Sequence, residues 1–95
     1  MNYFVYILYS LKLDSFYVGQ TGNIGNRIRE HNQGIHGAKS TKQSNDWTLF
    51  CSIVCNSRRQ AIQIEKHIKK MRNRKYYHNL KNIPEISARL LETYP

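Results

Sequence analysis

The acidic side chains of this sequence are few and scattered: Asp14, Glu30, Asp46, Glu65, Glu85 and Glu92, no two of them closer than seven positions. Two-metal sites are usually held by clustered carboxylates, and no local spacing supplies such a cluster. No Glu-x-Lys pair of the restriction-enzyme kind occurs, and a two-carboxylate glycosidase is a poor match to a net charge of +9. Metal chemistry here must run on few acidic ligands, and Glu65 is the candidate. In a helix whose apolar stripe is Ala61, Ile64, Ile68 and Met71, Glu65 lies about 80° from the stripe's centre and flanks the buried face. It could equally be a surface carboxylate paired with Lys69, four positions on. Tyr6 and Tyr17 could serve as acids, bases or hydrogen-bond donors. A tyrosine titrates near about 10 and is a poor base at neutral pH unless perturbed, and aromatic residues suit strands in any case. Arg27 and His31, four apart, share one face of a helix. The first could meet charge on a phosphate, and the second could orient water or take a proton. Both could equally be ordinary solvated helix residues.

The cations say more as a set. Fifteen Lys and Arg stand against six Asp and Glu, and the pI is near 9.8. Eight of the fifteen fall between Arg58 and Lys75, where Glu65 is the only acid. Lys39 and Lys42 lie on a polar stretch, and Lys69 and Arg72 on or beside the basic helix. Such a run holds phosphates, with strong salt dependence and little sequence preference. An anionic partner follows, nucleic acid first and an acidic membrane second. No apolar run approaches the ~20 residues of a membrane span, and Met-Asn-Tyr-Phe does not open a secretory signal. Cys51 and Cys55 would lie roughly 13 Å apart along one strand, beyond disulfide reach, which suits free thiols in a reducing cytoplasm. No Cys/His spacing matches a structural zinc site.

These residues need elements to position them. With 95 residues the chain is expected to be a single domain, 1–95. Tyr3 to Tyr9, aromatic and apolar on both faces, predicts a buried strand. Phe16-Tyr17-Val18-Gly19 returns as the second strand of a hairpin. A loop centred near residues 11 and 12 puts Tyr6 and Tyr17 at or near cross-strand positions on one face. Thr21 or Asn23 caps a helix over roughly 23 to 33, buried through Ile24 and Ile28 and stopped by Gly34. Residues 34 to 46 predict a surface loop, and Trp47 to Cys55 a third strand. Ser57 with Gln60 makes a capping box for a long helix to about Asn73, and Pro84 opens a short last helix carrying Ile86, Leu90 and Leu91. The order β, β, α, β, α, α predicts the α+β class: a small antiparallel sheet packed with helices.

In combination these motifs resemble the GIY-YIG nuclease superfamily. Val5-Tyr6-Ile7 and Tyr17-Val18-Gly19 match its paired tripeptides, Asn26 to Asn32 its Arg-bearing helix, and Ala61 to Lys70 its Glu-bearing helix. The resemblance covers about residues 3 to 80 and extends, through Arg74-Lys75-Tyr76-Tyr77, to the small stand-alone bacterial members. Many of these are named for similarity to an excision-repair endonuclease. It implies a three-stranded antiparallel sheet flanked by helices, and hydrolysis of DNA phosphodiesters with a single Mg²⁺ or Mn²⁺. By motif, Glu65 is the sole protein ligand of that ion, Arg27 neutralises the scissile phosphate, and Tyr6 or Tyr17 helps deprotonate water, assisted by His31 or the metal. Gly19 lets the backbone come close to the site. Gln20 stands where several members carry Lys, and the family's Asn is matched by Asn73 or by Asn79. With no targeting domain attached, selectivity would come from DNA shape, branched or damaged, or from a protein partner. The alternative is a binding module that keeps the fold without turnover.

Overall fold

A computed structural model describes residues 2–35 and 41–95. The central strand is β1, Tyr3–Ser10, and the sheet order is β2-β1-β3. Both neighbours, β2 (Ser15–Thr21) and β3 (Thr48–Cys55), run antiparallel to it. The middle position explains why β1 is apolar on both faces: Val5 and Ile7 enter one core, Tyr6 and Leu8 the other. The β1–β2 register pairs Ser10 with Ser15 and closes a four-residue loop over 11–14. That loop is centred one residue later than the sequence predicts, so Tyr6 pairs with Gly19 and Leu8 with Tyr17. The two tyrosines still share a face, as diagonal rather than direct neighbours.

Helix α1, Ile24–Asn32, covers the Tyr6 face. Asn23 caps it, accepting from the Asn26 amide at 3.0 Å, while Thr21 braces the cap through the Asn23 amide at 3.1 Å. Gly34, at φ +71°, ends it. The opposite face carries α2 (Arg58–Met71), α3 (Arg74–Asn82) and α4 (Pro84–Thr93). At the start of α2, Ser57 Oγ accepts from the Gln60 amide at 3.1 Å. The Gln60 side chain answers one residue further out than a standard capping box, accepting from Asn56 at 2.7 Å. Its amide group donates at 2.9 Å to the Tyr94 carbonyl, which ties the end of α4 to the start of α2.

The structure corrects four expectations. Helix α2 ends at Met71, two residues early, because Arg72 adopts a left-handed conformation at φ 42°. Met71 therefore leaves the buried stripe and is 42% exposed. Residues 74–82, given no element by the sequence reading, form α3, capped by Asn73 and buried through Tyr77 and Leu80. The 34–46 stretch is not wholly surface loop. Thr41–Gln43 make a short 3-10 turn in which Thr41 is buried, and its carbonyl accepts from the Trp47 indole at 2.9 Å. Trp47 itself precedes β3 and is clamped by Asn32 through two hydrogen bonds, at 2.7 and 3.0 Å.

Candidate active site

Strand alternation puts Tyr6 and Tyr17 on the α1 side of the sheet, with ring centroids 6.4 Å apart. The Tyr6 hydroxyl lies 2.9 Å from Nε2 of His31, and the His31 ring packs against Tyr17 at 4.8 Å. His31 is fully buried, not solvated, because it continues the Ile24–Ile28 stripe one turn further along α1. Opposite Tyr6 in the register stands Gly19, where an added Cβ would come within 2.5 Å of the Tyr6 hydroxyl and 2.6 Å of Cζ. The glycine is thus the floor on which the Tyr6 ring lies.

Arg27 comes from the same helix face as His31, one turn earlier. Its guanidinium donates to the Tyr6 hydroxyl and pairs with Glu30 at 3.0 Å. A guanidinium only donates, so the phenol oxygen accepts from Arg27, and the direction of its 2.9 Å bond to His31 Nε2 follows the tautomer of the imidazole. Glu65 reaches this cluster from α2, which packs on β1 and β2. Its side chain is only 18% exposed and pairs with Lys69 at 3.7 Å, and Lys69 stands 6.0 Å over the Tyr17 ring. The pairing expected of a surface carboxylate is therefore present, but on the wall of the tyrosine cluster. Burial pushes the Tyr6 phenol well above the usual tyrosine range, the neighbouring Tyr17 adds to this, and Arg27 opposes it. Burial likewise raises Tyr17, reinforced by the Glu65 carboxylate and again opposed by Arg27. Both phenols thus feel both charges, and Tyr6, Tyr17, Arg27, His31 and Glu65 occupy one neighbourhood.

The remaining candidates divide. Gly19 and Lys69 border this cluster, whereas Arg72 lies beyond it at the end of α2. Lys42 lines a different cavity, with Lys12, Asn32 and Gln33, and Lys39 lies outside the described residues. Asn73 spends its side-chain oxygen on the Tyr76 amide at 3.2 Å, and Asn79 lies within α3. Sequence reasoning did not single out Arg58 or Tyr3. With Gln20, Thr21, Gly22 and Arg27 they line a cleft of about 230 Å³. Its residues come from four separate segments, so no local spacing announces it.

Comparison with known proteins decides the family. The family model described as the GIY-YIG catalytic domain matches residues 2–80. This chain belongs to the GIY-YIG family. Within it the chain resembles small stand-alone members. It is 35% identical over 82 residues to a UPF0213 protein of Syntrophus aciditrophicus, covering 86% of this chain and 93% of that one. A UPF0213 protein of Clostridium perfringens is 42% identical over 76 residues, 79% of this chain and 78% of the relative. The solution NMR structure of a UPF0213 protein from Bacillus halodurans superposes with a TM-score of 0.52 at 31% identity, covering 93% and 94% of the two chains. Among the described residues the three-stranded antiparallel sheet with four helices matches the fold of that neighbour, and the α+β class stands as predicted.

The donor set bears on a metal. Among the described residues no three His, Cys, Asp or Glu side chains gather into a ligand cluster. What the site offers is one half-buried carboxylate beside two phenolic oxygens. That fits a hard cation which keeps several waters, as Mg²⁺ does, and it does not fit a caged transition metal.

Proposed function

We propose that this GIY-YIG protein is a metal-dependent endonuclease that hydrolyses DNA phosphodiesters, with Tyr6, Tyr17, Arg27, His31 and Glu65 as its working residues. The observation that carries the reading is their convergence: Arg27 and His31 from α1 and Glu65 from α2 gather around the pair of phenols from β1 and β2. Glu65 would hold a single Mg²⁺ or Mn²⁺, which when bound neutralises charge on the phosphate oxygens.

The rest is the work of the chain's own groups. Tyr6 forms the proton path. With His31 in its Nδ1–H tautomer, a water oxygen attacks phosphorus and passes its proton to the Tyr6 oxygen while the phenol's proton moves to Nε2 of His31. The phenol need not ionise, which matters because burial holds it protonated far above neutral pH. The bond from phosphorus to the leaving oxygen then breaks, and that oxygen takes a proton from solvent. Arg27, held by Glu30, offers its remaining donors to the phosphate as negative charge builds. Tyr17 and Lys69 close the side nearest Glu65, and Lys69 can move from the carboxylate to a phosphate.

Branched or damaged DNA is the substrate form we favour, with a repair role and a protein partner for targeting, since the basic run along α2 contacts phosphates without reading bases. Among the described residues no helix is long and apolar enough to cross a membrane. The free thiols Cys51 and Cys55 suit a reducing cytoplasm. The test is cleavage of branched and duplex DNA with Mg²⁺ or Mn²⁺ by wild type, Glu65→Ala and Arg27→Ala. Wild type is expected to cut and both variants to lose at least about 10²-fold. Equal cutting by all three would remove the chemistry from this site. Salt-sensitive binding without product under either metal would leave a binding module.

A further inference from the structure

The cleft beside the cluster has features that the proposed hydrolysis does not use. Arg58 opens α2, and Arg27 lies on α1; with Tyr3, Gln20, Thr21 and Gly22 they enclose about 230 Å³. Among the described residues no acidic side chain lines this space. Arg58 has no carboxylate of those residues in ion-pair reach, whereas Arg27, Lys69 and Arg74 each have one. Gly22 stands just ahead of α1 and Arg58 at the start of α2, so two helix N-termini border the cleft. Neither helix carries an acid in its first turn. Amide donors and helix dipoles at such ends favour anions. Gln20 and Tyr3 add neutral donors, and Arg58 adds a planar fork suited to phosphate. Arg27 lines the cleft and also donates to Tyr6. An anion held here therefore lies immediately beside the one the catalytic cluster would hold.

From this we infer a second phosphate subsite, with Arg58 as its main ligand, that takes the backbone phosphate next to the scissile one. The inference rests on the proposed nuclease reading for the identity of its ligand as a DNA strand. A separate site for inorganic phosphate would not need to share Arg27 with the tyrosine cluster.

The test is equilibrium binding of a short fluorescein-labelled DNA duplex in EDTA, where turnover plays no part, as a function of KCl concentration. Arg58→Ala is expected to weaken binding about tenfold and to reduce the slope of log K against log salt by about 0.9, one phosphate contact. Arg58→Lys keeps the charge and is expected to retain the slope with weaker binding. Arg89→Ala on α4, away from the cleft, removes the same charge and should leave the slope near wild type. A slope for Arg58→Ala equal to wild type, or to Arg89→Ala, overturns the subsite while leaving the nuclease reading intact. The expected loss of slope in Arg58→Ala, together with no cleavage by wild type, would sink the nuclease reading and leave the subsite. A wild type that does not bind the duplex sinks both. Arg58 is exposed and outside the core, so its variants are expected to fold, and a thermal melt of each checks this.

Discussion

The two faces of the sheet are built from alternate residues of the same strands, yet they are made of different material. On the α2–α4 face Val5, Ile7, Val18 and Ile53 meet Ala61, Ile64 and Ile68 in a dry apolar layer. On the α1 face Tyr6 and Leu8 meet Trp47, with Tyr17 at the margin and the buried imidazole of His31 hydrogen-bonded to Tyr6. Apolar burial is non-directional and tolerates any good fit, whereas a buried phenol and imidazole are stable only with their partners in place. The first face therefore supplies stability, and the second holds polar groups whose positions are over-determined. Helix α2 serves both, since Ile64 belongs to the dry core and Glu65, the next residue, to the polar site.

That division can be broken at its joint. Ile64→Ala is expected to cost about 2–5 kcal/mol, a large part of the total for a domain this size, and chemical denaturation would measure it. Glu65→Gln should shift stability by less than about 1 kcal/mol while slowing cleavage at least about 10²-fold. If Glu65→Gln unfolds the protein, the two faces are not separable. Gly19→Ala comes next. The new methyl collides with the Tyr6 ring, at a cost of about 1–3 kcal/mol, and cleavage should fall further than stability because the phenol is displaced from His31.

Alkaline pH loads the buried phenols of both faces, Tyr76 and Tyr77 on the α2–α4 side included, and Tyr6→Phe separates the polar face from the rest. The folded state holds Tyr6 and Tyr17 protonated above their ordinary value near 10.0, so above that pH the unfolded chain releases protons that the folded one keeps. Stability is therefore fully present below pH about 10 and falls as pH rises beyond it. The fall should be shallower in Tyr6→Phe, as read by melting temperature against pH; an unchanged slope would mean Tyr6 ionises freely. The smallest effect belongs to Lys69→Ala. Its pair with Glu65 is 51% exposed on the lysine side, so stability should change by less than about 0.5 kcal/mol.

Much of this is legible in the residues. The apolar run of β1, the Asn23 and Ser57 caps and the Gly34 stop are local chemistry, and each falls within a residue or two of its expected place. Helix α3 is not legible because RKYYHNLKN buries only Tyr77 and Leu80, too few anchors to show a period. The end of α2 at Arg72 depends on a left-handed residue that is not glycine, which no propensity announces. In the site, the motif order carries Tyr6, Tyr17, Arg27, His31 and Glu65. The burial of His31 has a signal, as the third member of the Ile24–Ile28 stripe, but a histidine beside Arg27 reads as a solvated position. The Arg58 cleft draws on four segments and becomes visible only once they are folded together.

Single-turnover cleavage by Glu65→Gln, Arg27→Ala and the double variant measures whether these groups act as one unit, which is the central claim. Residues of one catalytic unit are strongly non-additive, so the double variant should be about as slow as the worse single one. Losses that simply multiply would show two independent contributions, and the single site described here would not exist.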